Sequence, residues 1–446
     1  MIKLQINQRQ VEVQEGTMLL AAAEQLGISI PTMCYMKGYP HFTSCMVCMV
    51  QDMNSNKMLA SCSVPVTEGM IIETENEDVR QIRREALELL MSDHVGDCVA
   101  PCQRTCPAHM NIPQMNMFIE AGRNREALIT VKDHIALPAI LGRICPAPCE
   151  NNCRRSHVDG SISICALKGY VADQDLRSGV PYLPESKPQS GKRVAIIGSG
   201  PTGLAAAYYL QQFGHACTIF DNRPEPGGML RYGVPIEELP RDILDAEIDV
   251  IQKLGVVFEM NKEVGLHLSF GELRQTFDAL VIATGQLSPD EMKRIEVETT
   301  GKSVRVDNAT FETNVKGVFA GGGIIKPGKL AVISVGHGRS IAISVNRFLL
   351  GLALPVRNDR SQSRIGKFKD GELTRFVANM DDLKRSLLTQ EIKREPIAEK
   401  KVGISDSEAI GESSKCIQCG CASFYNCKLR IYTGQYNANA QRFKGE

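Results

Sequence analysis

The spacing of apolar residues along the first 80 positions predicts a small β-rich domain. Apolar and polar residues alternate over residues 2–6 and again over residues 9–13, with a polar turn between them. This alternation is typical of a hairpin whose two strands each bury one face. Thr17 follows where a helix cap is expected, and the apolar run after it ends at Gly27, which predicts a short helix.

Further along, helical spacing gives way to an alternation of strands and helices. Residues 82–98 carry apolar side chains at helical spacing, and residues 181–191 form a linker rich in Pro, Ser and Gly. A strand, a glycine turn, a helix and a second strand follow, which is typical of a parallel α/β domain. The predicted fold is multidomain, α+β and α/β, with domains at 1–80, 81–180, 192–350 and 411–446 and a solvated connector at 351–410 that has helical spacing near 380–392.

Cysteines decide which chemistry the sequence predicts, because fifteen of the sixteen fall into three groups. The sequence shows no secretory signal and no apolar stretch long enough to cross a bilayer, so a cytoplasmic location is expected. Thiols stay reduced there, and clustered cysteines are then metal ligands rather than disulfides. The groups are Cys34, Cys45, Cys48 and Cys62; then Cys98, Cys102, Cys106, Cys145, Cys149, Cys153 and Cys165; then Cys416, Cys419, Cys421 and Cys427, while Cys217 stands apart in a predicted strand and is expected in the core.

The charge balance excludes two classes of partner. Lys plus Arg and Asp plus Glu both number 51, and neither sign forms a long block. A nucleic-acid-binding or membrane-surface protein would show a basic patch or stripe. No nucleic-acid or membrane partner is therefore expected. The length of 446 residues allows about three domains.

The first cysteine group has the spacing Cys-x10-Cys-x2-Cys-x13-Cys, and four thiolates suit a [2Fe–2S] cluster. The order hairpin, helix, cysteine loop resembles the plant-type ferredoxin fold. More narrowly, it is similar to the N-terminal ferredoxin domain of the large iron–sulfur subunit of respiratory complex I and of related soluble hydrogenases. A structural zinc site is the alternative for these four thiols.

The second group resembles two families in turn. His94-x3-Cys98 resembles the complex I subunit, where the resemblance implies a histidine ligand to a [4Fe–4S] cluster, although the next two cysteines have different spacings here. From Cys106 onward the chain resembles the helical domain of glutamate synthase small subunits, dihydropyrimidine dehydrogenase and bifurcating transhydrogenases. That resemblance implies two [4Fe–4S] clusters, which need eight ligands, and His94 would complete the seven cysteines. Alternatively, His94 is an ordinary surface or core residue.

The division of these eight ligands follows from the resemblance. Relatives often have a Gln or Glu ligand at the position of Lys168, which a protonated lysine cannot replace. Cys165 lies one helical turn earlier and is predicted to take its place; alternatively it packs as a small buried apolar residue. The implied sets are Cys106, Cys145, Cys149 and Cys165 for one cluster, and His94, Cys98, Cys102 and Cys153 for the other.

A dinucleotide fingerprint opens the α/β domain. Gly198-x-Gly200-x-x-Gly203 lies between a hydrophobic strand and a helix, and the next strand ends at Asp221. Glycines at these places permit a tight turn and close approach of a pyrophosphate to the helix N-terminus, and the acid can hold a ribose. This strand–turn–helix–strand context makes the motif specific. The residues alone do not separate FAD from NAD.

The resemblance to glutamate synthase small subunits implies FAD. It includes the segments around Gly228 and Arg231, around Thr284 and Gly285, and around Gly322, which are expected to contact this cofactor together with the fingerprint. One position departs, because relatives usually have an aspartate where this chain has Gly323. That change implies altered or weaker flavin contacts.

A deletion limits what the flavin can react with. Enzymes of this family hold NAD(P)H in a second Rossmann domain between the two last FAD-domain motifs, and such a domain needs on the order of 100 residues. Between Gly285 and Gly317 this chain has 31 residues and no glycine fingerprint. Direct hydride transfer from a nicotinamide held by this chain is therefore not expected.

The last group, Cys416-x2-Cys419-x-Cys421-x5-Cys427, resembles the C-terminal [4Fe–4S] motif of some large flavin–iron–sulfur oxidoreductases. A zinc knuckle is the alternative, since Cys-x2-Cys alone does not specify the metal. Lys415, Lys428 and Arg430 would offset the negative charge of a thiolate-bound cluster.

Together, these features predict an electron-transfer subunit of a cytoplasmic oxidoreductase complex. The expected cofactors are one [2Fe–2S] cluster, two or three [4Fe–4S] clusters and FAD. The expected partners are an NADH-oxidising flavoprotein, a hydrogenase, a formate dehydrogenase, a bifurcating transhydrogenase or ferredoxin, and no catalytic residue is predicted. The alternatives are an NADPH-dependent enzyme like the glutamate synthase small subunit, and a non-redox scaffold that binds zinc.

Overall fold

The computed structural model divides the chain into two compact units, each described below by itself. The first unit comprises Met1–Val99, Asn358–Phe368 and Gly420–Glu446, and the second comprises Ala100–Arg357 and Lys369–Cys419. Most of the predicted connector at 351–410, including the helical pattern near 380–392, lies outside the described residues. The structure describes residues 1–39, 41, 43–94, 96–157, 160–328, 330–354, 362–366, 402–421, 423 and 426–443.

A five-stranded mixed sheet forms the centre of the first unit, in the order β2-β1-β5-β3-β4. The predicted hairpin is confirmed, since β1 and β2 pair antiparallel with Ile2 opposite Val13. The β1–β5 pair is parallel, and the two remaining pairs are antiparallel. Its elements are β1 (Ile2–Ile6), β2 (Arg9–Val13), α1 (Leu19–Gln25), β3 (Met49–Asp52), β4 (Lys57–Ala60), β5 (Ile71–Glu73) and α2 (Glu77–Ser92).

Two helix starts in this unit differ in how they are capped. The short helix α1 occurs as predicted, but the prediction that Thr17 caps it is wrong. Met18 occupies the cap position, and no side chain caps the helix. Helix α2 instead starts with Asn76, whose side chain accepts a hydrogen bond from the backbone amide of Val79 at 2.9 Å. Asparagine and serine side chains satisfy such free amides well, and methionine cannot.

The second unit begins with a helical region whose apolar faces form one core. The close crossing of two of its helices requires glycine, because a Cβ on Gly142 would lie 2.6 Å from the Cα of Gly169. Its helices are α3 (Pro101–Thr105), α4 (Ile112–Glu120), α5 (Asn124–Lys132), α6 (Pro138–Ile144) and α7 (Ile164–Arg177), with 3-10 turns at Glu150–Asn152 and Arg154–His157.

A parallel, Rossmann-like sheet completes the second unit, in the order β10-β9-β6-β7-β8. Cys217 is buried on β7, as predicted for a core residue. The elements are β6 (Arg193–Ile197), α8 (Pro201–Gln212), β7 (Ala216–Phe220), α9 (Met229–Tyr232), α10 (Arg241–Lys253), β8 (Val257–Glu259), α11 (Phe270–Thr276), β9 (Ala279–Ile282), α12 (Pro289–Met292), β10 (Val318–Ala320), a 3-10 turn at Gly322–Ile324 and α13 (Ala331–Leu349).

A buried carboxylate joins the helical region to this sheet. Glu247 of α10 accepts hydrogen bonds from the first amides of α6, from Ala139 at 3.0 Å and from Ile140 at 2.9 Å. Carboxylates are favourable at helix N-termini, where amides lack partners within the helix. The cysteines that follow α6 are therefore anchored to the nucleotide-binding part of the unit.

The segment between β9 and β10 contains no second nucleotide-binding sheet. Residues 286–316, all of them described, contain α12 and the isolated bridge Thr299–Val304. Residue Glu312 forms another isolated bridge, with Phe319. Among the described residues, no helix is long and apolar enough to cross a membrane.

The C-terminal part of the chain contributes to both units. Helix α14 (Asp406–Ser413) belongs to the second unit, where Glu412 accepts a hydrogen bond from the amide of Ser163 at 2.7 Å. Helix α15 (Lys428–Gln435) belongs to the first unit and packs against α2. There the fully buried Arg83 donates to the hydroxyl of Tyr436 at 2.8 Å. The chain therefore passes from one unit to the other between Cys419 and Gly420.

Candidate functional site

Four thiols of the first unit lie close together in the loop after α1 and at the end of β4. Cys45, Cys48 and Cys62 are buried, and Cys34 is half-buried. Burial raises the pKa of Cys62 to about 12, and a hydrogen bond with Cys48 and the charges of Cys34 and Cys45 act in the same direction. Met46 takes a positive φ of 53°, which turns the backbone between two of these thiols. All four predicted residues therefore share one site.

A cavity in the second unit brings together four of the central cysteines. Cys106, Cys145, Cys149 and Cys165 line about 300 Å³ of space beside α6 and α7. A hydrogen bond with Cys165 lowers the pKa of Cys145 to about 6, and the Sγ of Cys165 lies 3.7 Å from the carbonyl oxygen of Cys145. We call this space the inner cavity, and its four thiols are one of the sets that the family resemblance implied.

The inner cavity also has a buried lysine in its wall. Lys168 is 4 % exposed and its Nζ lies 3.7 Å from the Sγ of Cys165. Burial opposes its charge, but the negative charge of Cys165, Cys145 and Cys149 outweighs burial and raises the pKa of Lys168. Within the described residues it forms no ion pair with a carboxylate. The wall therefore contains a cation whose countercharge comes from the thiols.

A second cavity of about 330 Å³ joins thiols that are far apart in sequence. It is lined by Cys102, Cys153, Cys416 and Cys419, and we call it the outer cavity. Burial raises the pKa of Cys102, and the charges of Cys416, Cys419 and Cys153 raise it further, in that order. The predicted grouping of Cys102 and Cys153 with His94 and Cys98 is not the grouping in the structure. Packing of α14 against α4 brings the C-terminal pair here instead.

The other two C-terminal cysteines belong with Cys98 in the first unit. Burial raises the pKa of Cys98, with the charges of Cys421 and Cys427 adding to it and the nearby Arg430 opposing it. The amide of Cys421 donates to the carbonyl oxygen of Cys98 at 3.4 Å. The four C-terminal cysteines therefore do not share one cavity as the sequence predicted. They divide because the chain crosses between the two units after Cys419.

Ser363 connects Cys98 with the predicted ligand His94. Its amide donates to the Sγ of Cys98 at 3.2 Å, and its hydroxyl donates to the carbonyl oxygen of His94 at 3.1 Å. No sequence pattern singled out Ser363, which lies in the segment predicted to be a connector. Ser363 therefore links the backbone of His94 to the thiol of Cys98 through two hydrogen bonds. Among the described residues, no group of three or more His, Cys, Asp or Glu is arranged to hold a single metal ion.

The glycine fingerprint forms a tight turn between β6 and α8. A Cβ on Gly198 would lie 2.5 Å from the carbonyl oxygen of Ala283, and one on Gly203 would lie 2.0 Å from that of Gly198. Gly200 caps α8 without any side-chain hydrogen bond, and a Cβ there would meet nothing within 4 Å. Open space therefore lies in front of the α8 amides, where an anion is favoured.

Asp221 at the end of β7 is tied to this turn. One of its carboxylate oxygens accepts from the amide of Ser199 at 2.7 Å and from its hydroxyl at 2.6 Å. The other accepts from the amide of Arg223 at 2.9 Å. Both carboxylate oxygens of Asp221 therefore hold neighbouring backbone in place. Each oxygen can still accept a further hydrogen bond, as contact with a ribose hydroxyl would require.

The remaining predicted nucleotide-contact residues lie in two places. Arg231 holds its own loop, because its Nε donates to the carbonyl oxygen of Pro226 at 2.7 Å and its guanidinium pairs with Asp245. Gly228 packs against Gly200 of the fingerprint, because a Cβ added to Gly228 would lie 2.7 Å from the Cα of Gly200. The other predicted contacts follow the carboxyl ends of two strands. Thr284 and Gly285 follow β9, and Gly322 follows β10 together with Gly323, the position where relatives usually have an aspartate.

Three segments of the chain match known protein families. Residues 1–77 match the family described as a 2Fe-2S iron-sulfur cluster binding domain, and residues 75–180 match dihydropyrimidine dehydrogenase domain II, a 4Fe-4S cluster domain. Residues 155–338 match the pyridine nucleotide-disulphide oxidoreductase family. Successive segments of the chain are therefore similar to two iron–sulfur families and to an oxidoreductase family. The composite resemblance predicted from the motifs is thereby confirmed.

Curated relatives support the same combination. The subunit beta of the NADP(+)-dependent formate dehydrogenase of Moorella thermoacetica is 42% identical over 207 residues, covering 42% of this chain and 29% of the relative. The subunit beta of the NADPH-Fe(3+) oxidoreductase of Geobacter sulfurreducens is 42% identical over 188 residues, covering 42% and 28%. The glutamate synthase [NADPH] small chain of Bacillus subtilis is 34% identical over 210 residues, covering 47% and 42%. The chain thus spans less than half the length of each of these relatives.

Proposed function

We propose that this chain is an electron-transfer subunit of a cytoplasmic multisubunit oxidoreductase. The observation that carries the proposal is the pair of four-thiol cavities in the second unit, which share Ile164 in their walls. Four thiols around each cavity fit the ligand number of a [4Fe–4S] cluster, and bound clusters would supply one-electron redox chemistry. All sixteen cysteines are free, which fits a reducing compartment.

The thiol groupings support specific ligand sets. We assign the [2Fe–2S] cluster to the loop of the first unit and one [4Fe–4S] cluster to each cavity of the second. A third [4Fe–4S] cluster is proposed at Cys98, with His94 as its non-cysteine ligand. The proposed sets are Cys34, Cys45, Cys48 and Cys62; Cys106, Cys145, Cys149 and Cys165; Cys102, Cys153, Cys416 and Cys419; and His94, Cys98, Cys421 and Cys427.

The chain's own residues would place and insulate these clusters. Buried apolar side chains such as Ile135 line the inner cavity, and Ile112 and Ile162 line the outer cavity. Such walls exclude water, and burial is one determinant of a cluster's reduction potential. The protein's part is therefore to fix the spacing and surroundings of the redox centres rather than to bind a small substrate.

FAD is proposed at the fingerprint of the second unit. The open space at Gly200 and the uncapped N-terminus of α8 fit a pyrophosphate, and Gly198 and Gly203 fill their positions as only glycine can. Bound flavin would supply conversion between one-electron and two-electron steps. Gly323 offers no carboxylate at the last strand, so the contacts there are proposed to come from the backbone.

The nicotinamide step is assigned to a partner. Residues 286–316 form no second nucleotide-binding sheet, although the similar proteins carry NADP(+) or NADPH in their names. We propose that electrons enter or leave through an NADH-oxidising flavoprotein, a hydrogenase, a formate dehydrogenase or ferredoxin. The NADPH-dependent alternative would require bleaching of the purified chain by NADPH alone.

Metal analysis and paired cysteine variants test the proposal. Anaerobically purified protein should contain about fourteen iron atoms per chain with matching sulfide, from one [2Fe–2S] and three [4Fe–4S] clusters. Cys416→Ser and Cys427→Ser should each abolish a different cluster signal in the EPR spectrum of the reduced protein. Cys217→Ala is the control and should keep all the iron, because Cys217 lies apart from the thiol groups on β7.

Two results would contradict these assignments. Zinc in place of iron would favour the scaffold alternative and end the redox proposal. Loss of the same single signal in both serine variants would restore the undivided C-terminal site and refute the proposed ligand sets.

A further inference from the structure

One buried amide lines the outer cavity without a partner. Asn116 lies on α4 with a fully buried side chain, and it borders the space between Cys102 and Cys153. In the described part of the chain, neither its Nδ2 nor its Oδ1 has a hydrogen-bond partner. The other side chains of α4 that reach this cavity are Ile112 and Pro113, which are apolar.

An orphaned amide at this depth has a physical cost. Leaving a buried donor or acceptor unsatisfied costs the full free energy of removing that group from water, and such groups are rare in native proteins. Leucine at position 116 would fill a similar volume among the isoleucines without this cost. The amide is therefore explained by a polar group that occupies the cavity.

A second buried amide group without a partner lies next to the C-terminal thiols of this cavity. Gln418 lies between Cys416 and Cys419, and its Nε2 is buried without a partner among the described residues. The backbone of Gln418 takes a positive φ of 50°, so the chain turns at this residue. A second unpartnered amide donor therefore belongs to the segment that supplies Cys416 and Cys419 to the outer cavity.

We propose that the Nδ2 of Asn116 donates a hydrogen bond to a sulfur of the cluster in the outer cavity and raises its reduction potential. This inference rests on the proposed function, which assigns a [4Fe–4S] cluster to that cavity. Sulfur becomes more negative when the cluster is reduced, so a donated hydrogen bond stabilises the reduced form more than the oxidised form. Asn116 acts as a tuning residue, and the thiols alone hold the iron.

Redox titration of Asn116→Leu tests the inference. The variant should retain the iron and sulfide of the wild-type chain, while one [4Fe–4S] EPR signal requires a lower potential for half-reduction. We expect the reduction equilibrium constant of that cluster to fall at least tenfold, which is 59 mV for one electron. The other cluster signals should titrate as before.

Asn124→Leu is the matched control. Asn124 lies on the neighbouring helix α5, donates to Tyr170 and Gln174, and lines neither cavity. Its substitution should leave every midpoint potential unchanged. Asn116→Ala is made alongside in case leucine is too large for the cluster to enter.

Each outcome decides between the proposals. Unchanged potentials with full iron overturn the role of Asn116 and leave the proposed function intact. Loss of one cluster from both Asn116 variants also overturns the inference, because Asn116 would then be needed for assembly rather than tuning. Wild-type protein without iron would overturn the proposed function itself.

Discussion

The buried charge of Lys168 offers a direct electrostatic test of the inner cavity. Its ammonium is fully buried, lies 3.7 Å from the Sγ of Cys165 and has no carboxylate partner among the described residues. Replacing it by methionine keeps the length and apolar packing of the side chain and removes one positive charge. We expect Lys168→Met to lower the reduction potential of the cluster proposed in the inner cavity.

The size of the effect follows from Coulomb's law. The added electron would spread over a cluster held by Cys165, whose Sγ lies 3.7 Å from the ammonium, and we take about 6 Å as the charge separation for Coulomb's law. At an effective dielectric constant of about 20, a unit charge at that distance contributes about 3 kcal/mol. A one-electron shift of 59 mV corresponds to about 1.4 kcal/mol, so the potential should fall by roughly 120 mV.

An EPR-monitored redox titration under anaerobic conditions measures this shift. Iron content is determined in the same preparation, so that loss of the cluster is distinguished from a change in its potential. Lys132→Met is the control, because Lys132 is a buried lysine of the same helical region that pairs with Asp175 and lines neither cavity. A loaded Lys168→Met protein with an unchanged or higher potential would refute the reasoning.

Two further substitutions probe the second unit. Burial raises the pKa of Glu247 to about 7 from 4.5, so its contribution to stability is complete below pH 4.5 and is lost as pH rises through 7. Glu247→Gln should remove roughly 3 kcal/mol of this pH dependence, seen as thermal unfolding midpoints of the variant that differ less between pH 5 and pH 8 than those of the wild type. Gly203→Ala places a Cβ 2.0 Å from the carbonyl oxygen of Gly198 and should abolish flavin binding, measured as loss of the flavin absorbance. Wild-type flavin content in that variant would contradict the proposed nucleotide site.

The spacing of apolar residues, glycines and cysteines predicted those parts of the fold and the site in which the contacting residues are close in sequence. The hairpin and the strand–turn–helix at Gly198 follow from period and turn chemistry, and the structure has both. Cys165 lies one helical turn from Lys168, and it lines the inner cavity with the three cysteines expected beside it. In these cases the residues that meet lie on one element or on adjacent ones.

Long-range packing defined what the sequence could not. Helix α14 packs against α4 and α7, and this contact brings Cys416 and Cys419 to the cavity that Cys102 and Cys153 line. The spacing of cysteines within the C-terminal motif does not predict such a long-range contact. The interrupted match at Cys98 was the available signal, since its irregular spacing showed that it need not share a cluster with its neighbours. Asn116 was missed because an asparagine in an amphipathic helix is typical of an exposed position.

The shared wall between the two cavities has a consequence for how the protein matures. Ile164 borders both spaces. Helix α3 contains Cys102 of the outer cavity and is followed by Cys106 of the inner cavity, and the 3-10 turn Glu150–Asn152 lies between Cys149 of the inner cavity and Cys153 of the outer cavity. Filling one cavity therefore fixes the backbone that presents ligands to the other. Insertion of the first inorganic core should therefore preorganise the ligands of the second, so that the second cluster assembles faster than the first.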